Sequence, residues 1–342
     1  MRVVLFVFAK NEELYIEDFM IYYYNLGIDY IYILDNNDND KEPSLRDFLN
    51  NSQKIKDYRH KYLIEHEEYQ RKSYQNCYKN HKDEFDWFLV VDIDEFLDLN
   101  GYCNNIKELL LKHKDNEMIS FKWVTYGDNE LIERDMSKPV YEVFTKKANF
   151  MFENNHKTIF NKSKIDKYVE QYGIDNINFN HVLITHKEHK IFFYKKSLLI
   201  SNTLESNSIL ENRPFIRHIR TYSLKEYLDQ KYRIKYFSLT NINKGDIRRY
   251  LLSLYYFKIN QWTPEKQQYI EEYRKKNNII RTLCIFKSFE QFNKYSKKFN
   301  NICVYICGKH FENIVFKENY IFQGINSLKT IIYDFDNIVF IK

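Results

Sequence analysis

The chain has 342 residues, enough to bury a large core, so two domains or one large domain with an appendage are expected. Its composition is globular, with 44% hydrophobic and 29% charged residues, and 52 basic against 47 acidic residues give a net charge of only +5. This balance argues against a strongly basic nucleic-acid-binding protein, and we expect no nucleic-acid partner.

Cysteine usage and the apolar segments indicate a reducing compartment. The five cysteines are odd in number, widely spaced and contain no C-x-x-C pair, which argues against a disulfide framework and a zinc site. No apolar run approaches the roughly 20 residues needed to cross a bilayer. The N-terminal MRVVLFVFA is followed at once by KNEE, without a small-residue cleavage site. We therefore expect a cytoplasmic protein, whose membrane contact, if it has any, is peripheral.

Strand-like and helix-like segments alternate through residues 1–100. Helical apolar stripes separate the strand-like runs, and Gly27 is a natural stop for the first helix. This order predicts a mostly parallel, doubly wound, Rossmann-like sheet flanked by helices, with right-handed crossovers. The predicted strands are residues 3–9, 30–34, 62–66 and 87–91.

Polar residues follow each of these predicted strands. Ligands of such sheets bind beyond the carboxyl ends of the strands, so residues distant in sequence should converge on one rim. The residues placed there are Asn11, Asp35, His66, Asp92 and Asp94.

The remaining sequence predicts a second half and a small C-terminal unit. A helix is expected at 106–114, a strand at 118–126, and amphipathic helices at 223–237 and 246–259. After a polar stretch the strand pattern restarts at 282. We predict a domain over 1–270, with a nucleotide-binding half (1–100) and an acceptor half (101–270), and a separate α/β unit over 279–342. That unit could form a homo-oligomer, dock a partner, hold an acceptor or only stabilise the protein.

In the stretch FLVVDIDEFLDL (88–99), a predicted apolar strand is followed directly by a cluster of acids. Asp92 and Asp94 are two positions apart, so their side chains point to the same side of an extended chain. Like charges brought together need a compensating cation, and Mg²⁺ or Mn²⁺ favours carboxylate oxygens. The pair therefore indicates a metal and diphosphate site. The alternative is a strand end whose acids face water or cap the next turn.

Four ordered blocks of the sequence resemble family-2-like and family-92-like glycosyltransferases. The blocks are VVLFVFAKNEELYIEDFMIYYYNLGIDYIYILDNND (3–38), DWFLVVDIDEFLDL (86–99), FKWVTYGDNE (121–130) and RHIRTYSLKEYLDQKYR (217–233). Two positions depart from the pattern, because Tyr126 replaces the usual Phe and Ile219 replaces the usual aromatic. The resemblance does not extend over residues 275–342.

The resemblance implies a GT-A fold and an inverting transfer of a hexose from a nucleotide sugar, a UDP-sugar in the first instance, to a glycan or protein-linked acceptor. It also implies a Mn²⁺ or Mg²⁺ ion. Carried over to this sequence, the nucleotide-binding residues are Asn11, Asp35, Asp92, Lys231 and Arg233, and the metal ligands are Asp92, Asp94 and His218.

Each of these residues also has an ordinary structural interpretation. Asp35 lies in DNNDND, a typical turn sequence, and lone histidines are more often hydrogen-bonded or exposed than ligands. Lys231 and Arg233 could belong to a solvated helix face. The general base is the least determined role: Glu142 is slightly favoured over Asp128, and Glu95 is a third candidate that we expect to support the metal loop.

Two other functions compete with the glycosyltransferase. A nucleotidyltransferase also uses a D-x-D metal site, but it usually has a glycine-rich loop after the first strand, and AKNEEL (9–14) contains no glycine. The second alternative is a non-catalytic module that binds glycans or nucleic acid, in which the acids are structural. Its binding would be insensitive to a chelator, whereas a transferase of this kind needs a divalent ion.

Overall fold

A computed structural model describes the chain over residues 1–36, 45–64, 70–148, 156–179, 183–185, 191–192, 197–199, 213–231, 260–261, 263–276, 282–286, 303–307, 313–316, 320–323 and 337–341. Packing divides the chain into two compact units: unit 1 is Met1–Tyr126 and Asp135–Arg220, and unit 2 is Gly127–Arg134 and Thr221–Lys342. The domain boundary predicted at 270–279 stays a prediction.

Unit 1 is built on a mixed, mostly parallel sheet with the strand order β3-β2-β1-β4-β7-β6-β12-β5, in which β11 also pairs with β6. Strands β1 to β4 are parallel to their neighbours in this set, as the alternating pattern predicts. Strand β7 is antiparallel to β4 and β6, and β5 is antiparallel to β12. The α/β, Rossmann-like prediction is therefore confirmed. The strands are β1 Val3–Ala9, β2 Tyr30–Asp35, β3 His60–Ile64, β4 Trp87–Val91, β5 Glu95–Asp98, β6 Met118–Tyr126, β7 His156–Asn161, β8 Ile177–Asn178, β9 Leu183–Thr185, β10 Ile191–Phe192, β11 Ser197–Leu199 and β12 Phe215–Ile219, of which β8 to β10 form a separate antiparallel sheet.

Helices cover both faces of the unit 1 sheet. On one face, Tyr74 and Tyr78 of the third helix pack in the core with Phe6 and Phe88. On the other face, Phe19 of the first helix contacts Phe96 of β5. Within the described ranges, none of the helices combines the length and the hydrophobicity that crossing a bilayer requires. The helices of unit 1 are α1 Ile16–Leu26, α2 Leu45–Asn51, α3 Gln70–His81, α4 Ile106–Lys112, α5 Val140–Val143 and α6 Lys162–Tyr172, with single 3₁₀ turns at Lys82–Glu84 and Ile174–Asn176.

Unit 2 contains a sheet of its own, ordered β16-β15-β14-β13-β17. Strand β13 is parallel to both β14 and β17, whereas β15 is antiparallel to β14 and β16. The strands predicted to restart at 282 are therefore present. The elements of unit 2 are α7 Leu224–Glu226, which continues as a π-helical turn over Tyr227–Lys231, α8 Pro264–Lys276, β13 Thr282–Phe286, β14 Cys303–Cys307, β15 Asn313–Phe316, β16 Tyr320–Gln323 and β17 Asn337–Ile341. The helix predicted at 246–259 lies outside the described residues.

Gly27 ends α1 as the sequence predicts. Its φ of 104° is left-handed, and its backbone N–H is directed at the carbonyls of Tyr23 and Tyr24. Side chains with a Cβ rarely adopt this conformation. We expect Gly27→Ala to lower the free energy of unfolding by about 1 kcal/mol, measured by urea denaturation. Asn25→Ala, on an exposed position of the same helix, is the control and should cost little; an equal loss in both variants would contradict the explanation.

Candidate metal centre

The carboxyl ends of the parallel strands meet at one edge of the sheet. In the strand register, Ala9 at the end of β1 lies opposite Asp35 at the end of β2, and Asp35 lies opposite Ile64 at the end of β3. Strand β4 ends beside β1, since Val91 pairs with Val7. Residues that follow these strands are therefore brought to a common rim, as predicted.

Asp35 and Asn11 occupy this rim. Asp35 is buried, and its carboxylate accepts a hydrogen bond from the hydroxyl of Tyr62 on β3. Asn11 adopts a left-handed φ of 57° in the loop after β1, a conformation that asparagine tolerates better than most residues. His66, the third residue predicted here, lies outside the described residues.

A tight turn after β4 carries the three acids. The backbone N–H of Glu95 donates to the Asp92 carbonyl (3.1 Å), and the backbone N–H of Asp92 donates to Oε2 of Glu95 (2.8 Å). The carbonyl of Asp94 accepts from the backbone N–H of Ile219 (2.8 Å) on β12. Backbone bonds thus fix both the turn and its position against β12.

Strand β12 brings His218 to the acids. Because β12 pairs with β5, His218 lies opposite Glu95, and its Nε2 is 3.5 Å from Oδ2 of Asp94. Asp94, Glu95 and His218 each offer one possible ligand atom, and these atoms lie within 4.8 Å of one another. The ring of Trp123 packs on the imidazole with 4.5 Å between centroids, which restricts the rotation of His218.

A buried lysine completes the group. Nζ of Lys157, on β7, lies 2.8 Å from Oδ2 of Asp92 and 3.3 Å from Oε2 of Glu95. Burial, opposed by Lys157, raises the pKa of the Glu95 carboxyl well above its usual range. Burial also works against the charge of Lys157, but Asp92 and Glu95 outweigh it, so the pKa of its ammonium is raised. Lys157 is therefore cationic at neutral pH.

The group suits a divalent ion. Oε1 of Glu95 and Nδ1 of His218 are buried and have no hydrogen-bond partner within the part of the chain that the structure describes. Leaving buried polar atoms without partners is costly, and a bound cation at the carboxylate oxygen would remove part of that cost. Carboxylate oxygens suit Mg²⁺ and Mn²⁺, while the imidazole nitrogen favours Mn²⁺ of the two.

The two predicted aspartates differ in their surroundings. Both carboxylate oxygens of Asp92 are engaged, Oδ1 by Nε2 of Gln70 (2.8 Å) and Oδ2 by Lys157. Asp92 is not one of the three grouped residues, and Glu95 is. The role of Lys157 was not predicted from the sequence, because β7 was not predicted and a single lysine in HKTIFN (156–161) gives no local sign of burial.

The two candidate bases have different environments. Asp128 belongs to unit 2, where its carboxylate is buried and lies 2.6 Å from Nζ of Lys266, itself fully buried. Glu142 is exposed on α5. The carbonyl of its neighbour Tyr141 accepts from Arg217, whose side chain leaves β12 on the face opposite His218. The described contacts therefore do not bring Glu142 to the acids of the turn, and both assignments stay predictions.

The two predicted basic residues lie at or beyond the end of the described range 213–231. Lys231 is the last residue of the π-helical turn. Arg233 lies outside the described residues. Their proposed contact with phosphate stays a prediction.

Comparisons with known proteins give no family. No protein-family model matches the chain, and no characterised protein matches its sequence. The solved structures that are similar over parts of the chain include the following two. CMP:2-keto-3-deoxy-manno-octonic acid synthetase complexed with CTP has 10% identity and a TM-score of 0.26 over 50% of this chain and 78% of that one. Apo-UDP-glucose pyrophosphorylase has 8% identity and a TM-score of 0.30 over 69% of this chain and 100% of that one. Scores this low support no conclusion about fold or function.

Proposed function

We propose that the chain is a metal-dependent glycosyltransferase that moves a hexose, with inversion, from a nucleotide sugar to a glycan or protein-linked acceptor. One observation carries the proposal: Asp94 and Glu95 from the turn after β4 meet His218 from β12, with atoms suited to a divalent ion. The turn follows the strand next to β1, at the rim where ligands of such sheets bind.

We assign the residues of the rim separate roles in binding and catalysis. Asp35 and Asn11 bind the base and ribose of the nucleotide, and Asp92, held by Gln70 and Lys157, faces the ribose. Asp94 and His218 would hold the ion, and its charge would offset the negative charge that develops on the departing diphosphate. A carboxylate accepts the proton of the acceptor hydroxyl as the new glycosidic bond forms. Lys231 and Arg233 add positive charge near the phosphates.

The test is a calorimetric titration of UDP, then GDP and CMP, into the full chain with Mn²⁺ and again with EDTA. We expect one nucleotide to bind only with Mn²⁺. Binding that is unaffected by EDTA would favour the non-catalytic module, and failure of all three to bind folded protein would refute the proposal. Release of UDP, GDP or CMP from the matching nucleotide sugar supports a glycosyltransferase, whereas release of pyrophosphate from the triphosphate indicates a nucleotidyltransferase.

The general base is tested by Glu142→Gln. If Glu142 takes the acceptor proton, turnover falls about a hundredfold, the lower end of what a general base contributes. The melting temperature should not change, because the side chain is exposed. Steady-state rates with saturating donor measure the effect. Glu133→Gln, exposed on unit 2, is the matched control, and full activity of the Glu142 variant would remove Glu142 from the mechanism.

A further inference from the structure

The geometry points to Glu95, and not Asp92, as the carboxylate that shares the ion with Asp94, and to Lys157 as the residue that imposes this choice by holding Asp92. The inference deepens the proposed function and rests on its metal ion. It reassigns one ligand of the D-x-D pair and gives the buried lysine a positioning role.

Both carboxylate oxygens of Asp92 already have partners, which makes Asp92 a poor ligand for an ion. Its Oδ1 accepts from Gln70 and its Oδ2 pairs with Lys157, each at 2.8 Å. Gln70 is the first residue of α3, and Lys157 lies within β7, so the two partners come from separate, regular elements. Lys157 is also almost fully buried, with 1% of its side chain exposed. Releasing Asp92 would take one paired carboxylate away from this buried ammonium, which is costly.

Glu95 has the opposite arrangement. Its Oε2 is engaged by the backbone N–H of Asp92 and by Lys157, which fixes the carboxylate in one orientation. Its Oε1 is buried and has no hydrogen-bond partner among the described residues. The same residue contributes an atom to the group with Asp94 and His218. A carboxylate anchored through one oxygen and unsatisfied at the other is preorganised for a cation.

The charges also balance with this assignment. With an ion bound and Glu95 ionised, Asp92, Asp94 and Glu95 carry three negative charges, and Lys157 carries one positive charge. Among these four side chains two net negative charges remain, as many as one divalent cation neutralises. Lys157 lies on Oδ2 of Asp92 and on Oε2 of Glu95, so its charge offsets Asp92 directly and leaves Oε1 of Glu95 available to the ion.

The test measures the affinity of Mn²⁺ alone, without nucleotide, for the full chain by electron paramagnetic resonance of the unbound ion. We expect Glu95→Gln to weaken Mn²⁺ binding by more than about 100-fold, beyond the 10- to 100-fold typical of residues that only support a ligand. Asp92→Asn should weaken it by less than about tenfold. Circular dichroism and a melting curve establish that each variant is folded.

The Asp92→Asn variant tests the inference even if Glu95→Gln does not fold. The side chain of Asp92 is 34% exposed, so the Asp92 variant should fold, and loss of Mn²⁺ from folded Asp92→Asn would overturn the inference. Retention of Mn²⁺ in folded Glu95→Gln would overturn it as well. Failure of the wild-type chain to bind Mn²⁺ would refute the proposed function together with the inference. Mn²⁺ binding that depends on Glu95, in a protein that binds no nucleotide, would support the inference and refute the proposed function.

Discussion

Asp94→Ala is expected to abolish Mn²⁺-dependent nucleotide binding and to reduce transfer at least about 1,000-fold, the upper end of what a single electrostatic contact to the transition state contributes. Its carboxylate belongs to the group with Glu95 and His218, and no other side chain of the D-x-D pair reaches that group in the described structure. The backbone of Asp94 is bonded to β12 through its carbonyl, so the substitution leaves the turn intact.

The measurement is the same titration with Mn²⁺ and nucleotide, followed by transfer assays on the folded variant. Asp115→Ala is the matched control, because Asp115 is exposed and the chemical change is identical. The control should bind and turn over like the wild type. If Asp94→Ala binds nucleotide with unchanged manganese dependence, the metal lies elsewhere, and if the variant is unfolded, the acid has a structural role.

The strands with the longest apolar runs were predictable from sequence, because a strand buried on both faces has apolar residues at consecutive positions. Strand β1 is apolar throughout and almost entirely buried, and β4 and β6 match their predicted bounds. Strand β3 begins at His60, two residues before the start predicted at 62, and the last two predicted residues, 65 and 66, lie outside the described residues. Its start is set by pairing with β2, where Ile31 lies opposite His60, and not by its own composition.

Strands β5 and β7 were not predicted, and the site depends on both. Strand β5 begins at Glu95, inside what the sequence suggests is only an acidic loop. Its antiparallel pairing with β12 brings His218 next to the acids of the turn. Strand β7 lies between β4 and β6, and this non-local pairing places Lys157 beside Asp92. Register between strands more than 60 residues apart has no local sequence signature, so motif and resemblance could indicate Asp94 and His218 but not Lys157, which pairs with Asp92 and Glu95.

Lys157→Met is expected to lower the free energy of unfolding by about 3–5 kcal/mol, the usual cost of removing one partner of a buried ion pair. Methionine fills a similar volume but leaves Glu95, which is fully buried, and Asp92 without their cation. Burial raises the pKa of the Glu95 carboxyl because it disfavours the ionised form, so keeping Glu95 charged without Lys157 is costly. Urea denaturation with EDTA present measures the loss without a contribution from bound metal.

Lys107→Met provides the control for this loss. Lys107 also pairs with an acid, with Nζ 2.6 Å from Oδ1 of Asp29, but the two side chains are 40% and 32% exposed. Exposed pairs contribute about 1 kcal/mol at most, so the control should differ little from the wild type although its ion pair is shorter. Equal losses in the two variants would mean that burial does not set the strength of the Lys157 contacts. A Lys157 variant as stable as the wild type would show that Glu95 is neutral in the folded protein without metal, and that Lys157 serves only to hold Asp92.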